Sequence, residues 1–482
     1  MIKSKKVFLI LLSLLIIISL ATKYYGSIDS IEYMGVAKFF TSYSNADLRS
    51  SHSLTYGLIH APWVYLFKTY FIMKITSILW LMLIILSVYY MTNKDKKTLL
   101  LLIISPIIWY IGPWIGPIQL SALLFLWGFF FIDNYNKTGK LPSLFYSGIL
   151  IGLAWTFWNT VIFLLFFIIL CFFYKRNVNH LLLFLLSILL GLLPLLIIDK
   201  ILYNFSFYSI IKHFIANIVV ALYGSIYQGM HYLKNQIYSY ISFLIMLPLF
   251  FYKLFYKNFF QERKRQLIFI AISFLFFLAN PQIRYIMFLW PILMLYLPKV
   301  LNKKQFKIQL ILFGVISLLV VSPYIIQIKY STNSRDFTEM LSNFGNWQVS
   351  SINKDKLILQ DINEITQGYP DEIFVIGNEV DSYNALATLY WDKNVREFVS
   401  IQDYNLWMQN KTLLFEKKFM PVPKIQDRRQ IWISGGISKN ENDATNYSAI
   451  KYAIGIGEPI NLKDFKLVKN YTTLYLSEKI NK

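Results

Sequence analysis

Apolar runs interrupted by short basic loops set the pattern of the first two thirds of this chain. Val7–Leu20, Leu181–Ile198 and Ile308–Ile328 approach or reach the roughly 20 apolar residues needed to cross a bilayer's hydrocarbon core. Further runs at about 98–113, 118–132, 142–157, 158–174, 235–252, 266–280 and 284–298, with one more inside 71–92, complete about eleven predicted crossings, within a range of 11–13. The stretch Thr55–Phe71 is apolar but broken by His60, Pro62 and Lys68, so a crossing and an interfacial or re-entrant piece both fit it. Lys3, Lys5 and Lys6 precede the first run, and Ser19-Leu20-Ala21 resembles a signal-peptidase site. The many spans that follow favour a retained signal anchor.

After Lys329 the apolar runs stop. Glu372–Gly377 and Gln430–Ser434 read as strands, Ser382–Trp391 as a helix, and Phe465–Leu476 as a hairpin turning at Lys469-Asn470. The expected organisation is therefore an α-helical polytopic membrane domain over 1–328, with a first loop at about 23–58, and a soluble α/β or α+β domain over 329–482.

Composition agrees with the pattern. Hydrophobic residues make up 56% of the 482 positions, above the level of ordinary soluble domains. The net charge of +21 would suggest nucleic acid in a soluble protein, but its distribution excludes that partner. Residues 329–482 hold 19 basic and 19 acidic groups, whereas residues 1–328 hold 28 basic and 7 acidic ones. Basic excess in short loops is what the positive-inside rule produces. It places the N-terminus and the loops at Lys94–Lys97, Lys137–Lys140, Lys175-Arg176, Lys253–Arg265 and Lys299–Lys307 in the cytoplasm. An odd number of crossings then puts the first loop and the C-terminal domain outside a plasma membrane. Cys171 is the only cysteine, so the chain has no internal disulfide.

Acidic residues in the membrane part are few enough to take one by one. Asp95, Asp133 and Glu262 fall in basic loops and read as solvated loop charges; Asp29, Glu32, Asp47 and Asp199 are left for the outer side. If a helix begins near residue 29, Asp29, Glu32 and Tyr33 share a face that Ala37 and Phe40 continue. Asp29 then either caps that helix, where the dipole favours a carboxylate, or does chemistry. Arg284 is the only arginine or lysine between Arg265 and Lys299 and lies opposite the basic loops. Phosphate binding and snorkelling to lipid headgroups are both open to it. His52 and His60 flank the end of the first loop, and Gly455-Ile456-Gly457 is too short to mark a phosphate loop.

The segment Ile28-Asp29-Ser30-Ile31-Glu32-Tyr33-Met34-Gly35-Val36-Ala37 resembles the first-loop motif of the GT-C glycosyltransferases, in which an acid just beyond the first transmembrane helix is followed by an aromatic and a small residue. Asn280-Pro281-Gln282-Ile283-Arg284-Tyr285, leading into a helix with Pro291, is similar to that superfamily's outer-edge arginine-tyrosine motif. The resemblance covers the architecture of nearly the whole chain but only some 25 residues in motifs. It implies transfer of a sugar from a polyprenyl-phosphate donor to a glycan, lipid or protein acceptor at the outer membrane face, as in protein O-mannosyltransferases and lipid A aminoarabinose transferases. Asp29 would be the catalytic base, with Glu32 as support or substitute. Arg284 and Tyr285 would hold the carrier phosphate, and Tyr33, His52 and His60 would line the site.

Departures from the superfamily pattern narrow the expectation. Ser30, not a second acid, follows Asp29; the hairpin Gly112–Pro117 carries no acid; Tyr390-Trp391-Asp392-Lys393-Asn394 only echoes the oligosaccharyltransferase W-W-D-x-G signature. These favour a metal-independent monosaccharide transferase needing no cofactor, and the resemblance implies that it inverts the anomeric centre. The alternatives are a transporter or flippase of lipid-linked glycans and a membrane-anchored glycan-binding protein. Scarcity of charge within the apolar runs disfavours the former.

Overall fold

The computed structural model describes residues 2–22, 26, 28–41, 54–173, 177–211, 213, 240–279, 281–330, 352–369, 372, 374–376, 399–400 and 450–480. In chain order α1 (Ile2–Ala21), α2 (Ile28–Phe39), α3 (Leu54–Phe67) and α4 (Phe71–Met91) are followed by α5 (Lys96–Ile104), α6 (Pro106–Ile111) and α7 (Ile118–Thr138). Next come α8 (Leu141–Phe157), α9 (Val161–Phe172), α10 (Val178–Tyr203) and α11 (Lys264–Ala279). A 3-10 turn at Ile283–Tyr285 leads into α12 (Ile286–Val300), α13 (Lys303–Tyr330) and, beyond the apolar region, α14 (Ile352–Gly368).

Among the described residues, five helical stretches are long and apolar enough to cross a membrane: α4, α7, α10, Ile283–Val300, and Lys303–Ile325 within α13. Lys6–Ala21, α8 and α9 are shorter apolar helices. The chain is thus a polytopic helical membrane protein.

One expectation changes, and one left open is narrowed. The run 98–113 is not one helix: Ser105 is extended (φ −63°, ψ 131°) because a proline at 106 pushes the residue before it out of the helical region. Carbonyls released by the break find donors, Ile103 O from Trp109 Nε1 (2.8 Å) and Ile104 O from Ser317 Oγ (2.7 Å), as membrane burial requires. The ambiguous stretch after Thr55 forms the 14-residue α3. At 1.5 Å per residue it is about 21 Å long, short of the roughly 30 Å core. Trp63, Tyr65, Leu66 and Phe67 are exposed along it, as expected of an interfacial helix.

The tightest packing joins α7, α8 and α10. Small residues let backbones meet: a Cβ on Gly152 would lie 2.3 Å from Ile188 O, and one on Gly191 would lie 2.3 Å from Ile149 O. Ser147 Oγ donates to Gly128 O (2.7 Å) and Ser121 Oγ to Ala154 O (2.8 Å), so polar groups inside the apolar body bond across helices.

Beyond the membrane helices, β1 (Phe374–Ile376), β2 (Val399–Ser400), β3 (Tyr452–Ile456), β4 (Phe465–Asn470) and β5 (Leu474–Lys479) form one sheet in the order β2-β1-β3-β5-β4. β1 lies parallel to β2 and β3; β5 is antiparallel to β3 and β4. Ile358, Ile362 and Ile365, one stripe of α14, are buried with Phe374, Ile376, Ile454, Leu474 and Leu476. The expected hairpin exists but turns at 471–473, not at Lys469-Asn470: β4 runs on to Asn470, with a register shift between Leu467 and Lys469. Gly455-Ile456-Gly457 serves this sheet. A Cβ at Gly455 would meet Glu458 O at 2.0 Å, and Gly457 has φ +80°. The expected strand 430–434 and helix 382–391 lie outside the described residues.

Candidate functional site

Segments from α2, α3, the 112–117 hairpin, the end of α8 and the 3-10 turn at Ile283–Tyr285 meet through ring contacts. α7 sets the two ends apart: Ile118 follows the hairpin 112–117, and Thr138 precedes the basic loop. At the hairpin end, α2 begins at Ile28, so Asp29 lies in its first turn, one turn before Tyr33 on the same face. The side chains of Asp29 and Glu32, and all of His52, lie outside the described part.

Tyr33 is buried and bridges three segments. Its ring meets Tyr56 of α3 at 5.9 Å and Trp158 at 6.3 Å, both edge-on, and its Cε2 would be 3.3 Å from a Cβ at Gly116 in the hairpin. Trp158 ends α8 with an extended backbone (φ −148°, ψ 111°), which turns the chain toward α9. The guanidinium carbon of Arg284 stands 5.4 Å from the Trp158 ring centre and 5.7 Å from that of Tyr285. Arg284 Nε donates to Gln282 Oε1 at 2.7 Å, which fixes the plane of the guanidinium. Tyr285 in turn stacks on Phe277 at 5.4 Å. Tyr33 and Arg284, both singled out from sequence, therefore meet the ring of Trp158, which sequence reasoning had not marked, and Tyr285 packs against Arg284.

His60 stands one step aside. Its ring is 4.3 Å from that of Tyr56, and it is buried. Nδ1 donates to Tyr56 O (2.8 Å), since a carbonyl can only accept, and Nε2 faces Thr76 Oγ1 at 2.7 Å. Nε2 thus joins α3 to α4, while Nδ1 is held by the preceding turn of α3 itself.

Two buried lysines sit at the same end and were missed. Lys74 of α4 donates to the carbonyl of Thr22, which ends α1, and Lys38 of α2 is 2% exposed. Lys74 was findable by the signal that flagged Arg284, because it is the only basic residue between Lys68 and Lys94. Asp199, by contrast, is occupied within its own region: it accepts from Ser209 N (2.8 Å) and Ser209 Oγ (2.5 Å), which ties the chain after α10 back onto that helix.

The opposite end corrects another reading. Asp133 is not a solvated loop charge but 7% exposed, because it lies within α7 facing α11, where Gln266 Nε2 and Lys137 Nζ donate to it. Around it Arg265 Nη1 donates to Asn136 Oδ1 (2.7 Å), and Tyr135 OH meets His180 Nδ1 at 2.6 Å.

Chemically, the hairpin end links an aromatic-backed guanidinium, through Trp158 and Tyr33, to the helix whose sequence carries two carboxylates. No protein-family model matches the chain, and no curated protein sequence is significantly similar to it.

Proposed function

We propose that the chain is a membrane glycosyltransferase of the GT-C kind, moving a sugar from a polyprenyl-phosphate donor to a glycan, lipid or protein acceptor at the outer face of the cell membrane. In this reading about eleven crossings leave the N-terminus in the cytoplasm and residues 329–482 outside, where they help bind the acceptor. The observation that carries the proposal is the chain of contacts from α2 through Tyr33 and Trp158 to Arg284. It brings the acid-bearing helix and the solitary arginine to one end of the bundle.

The reaction needs two things from such a site. An acceptor hydroxyl attacks the anomeric carbon of the donor sugar while a carboxylate, Asp29 with Glu32 as support or substitute, takes the hydroxyl proton. The bond from the anomeric carbon to the phosphate oxygen breaks, its electron pair leaves with the lipid phosphate, and Arg284 meets the charge that develops there. A single displacement inverts the anomeric centre. Tyr285 and Tyr33 hold the arginine and the α2 face in register, while His60 keeps α3 on α4.

The test is transfer of radiolabelled sugar from polyprenyl-phosphate donors in membranes containing the full chain or its Asp29→Asn variant. The proposal expects transfer by the parent chain, and transfer lower by two or more orders of magnitude in Asp29→Asn, roughly the contribution of general-base catalysis. Undiminished transfer would remove Asp29 from its role.

A further inference from the structure

Trp158 occupies the centre of the site, and its polar atom is unaccounted for. The side chain is 8% exposed, yet its indole N–H finds no acceptor among the described residues. Buried donors of that kind are rare, because each forfeits its hydrogen bonds to water without replacement. Trp80 and Trp290 also bury unpartnered indole N–H groups, but among the described residues neither has a cation against its ring. Trp158 does, in Arg284 at 5.4 Å.

The chemistry of the pair selects the ligand. Indole N–H and guanidinium are donors with no accepting capacity, so a group bridging them must present acceptors on adjacent atoms. A sugar hydroxyl brings one proton and two lone pairs and suits a mixed site; a phosphate presents several oxygens and no competing proton. The ring face behind the guanidinium fits the same ligand, because it orients Arg284 and takes up none of its N–H groups.

We infer that Trp158 is a phosphate-binding residue, its indole N–H donating to a phosphate oxygen of the polyprenyl carrier while its ring positions Arg284 for the neighbouring oxygens. The inference rests on the lipid-phosphate reading above. It adds a residue in the α8–α9 turn, so three separate segments, α2, the turn after α8 and the 3-10 turn before α12, close on one headgroup.

Binding of a C55 polyprenyl phosphate, and of the matching polyprenol, to the purified full-length protein in nanodiscs tests this without turnover. Trp158→Phe keeps an aromatic face and removes the N–H. It is expected to weaken the phosphate about tenfold or more, the loss of a hydrogen bond to a charged acceptor, and to leave the polyprenol unchanged. Equal phosphate affinity in Trp158→Phe, with Arg284→Gln weakened, overturns the inference and leaves the lipid-phosphate reading in place. A parent protein with no preference for phosphate over alcohol overturns both. If Trp158→Phe does not fold, the benzothiophene isostere of tryptophan, introduced at position 158, keeps the bicyclic shape and lacks the N–H. The same outcomes then decide.

Discussion

The ammonium of Lys74 donates to the main-chain carbonyl of Thr22, so a lysine in the first turn of α4 closes the last turn of α1. A cation suits that position, where the helix dipole is negative and carbonyls lack intrahelical donors. Both residues are buried, Lys74 at 1% and Thr22 at 2% exposure. Lys74→Met withdraws the donor from a buried carbonyl and should cost about 1–3 kcal/mol, read as a lower thermal midpoint in detergent. Lys74→Glu should be worse, since it sets a carboxylate against the negative end of α1. A Lys74→Glu protein as stable as the parent would show that the lysine does not cap α1.

The same lysine shows how far the sequence could be read. Hydrophobic runs located the long helices well, because 20 consecutive apolar residues have few other uses. Leu181–Ile198 lies within α10 and Ile308–Ile328 within α13. Solitary bases opposite the basic loops were also legible in principle, and the rule that marked Arg284 applies equally to Lys74. Trp158 was not legible: it is one of 12 tryptophans in an aromatic-rich chain, and only the meeting of α2 with two distant turns distinguishes it. Asp133 misled for a related reason. Nearby lysines imply solvent, whereas its helical position turns it toward Gln266.

Glycines on the α8–α10 seam offer a second measurement. Gly152 faces Ile188 O and the Gly191 Cα, backbone atoms that cannot rotate away as a side chain tip would. Gly152→Ala should therefore force the helices apart and cost about 1–3 kcal/mol, the usual range for overpacking. Gly314 in α13 is the matched control, since a Cβ there would meet nothing within 4 Å. Gly314→Ala should leave the thermal midpoint unchanged or raise it slightly through better helix propensity. Equal effects of the two substitutions would show that the seam is looser than its backbone contacts indicate.

Asp133 and Gln266 join α7 to α11 at the basic end, and their coupling can be measured directly. Asp133→Leu leaves the Gln266 amide, 8% exposed, facing a methyl group, so it should cost about 1–3 kcal/mol. Lys137 adds little to that loss, because its side chain is 51% exposed and water replaces its partner. Gln266→Leu alone should cost a similar amount, since Asp133 then keeps a buried carboxylate with one donor fewer. The double variant removes both polar groups together, so it should be less destabilised than the sum of the singles by roughly 0.5–3 kcal/mol, as residues in direct contact are. Thermal midpoints of the four proteins in detergent give the coupling. Strict additivity would mean that the two helices are held together at this end by packing alone, and that Asp133 was retained for the charge it presents to the surrounding lysines and arginines.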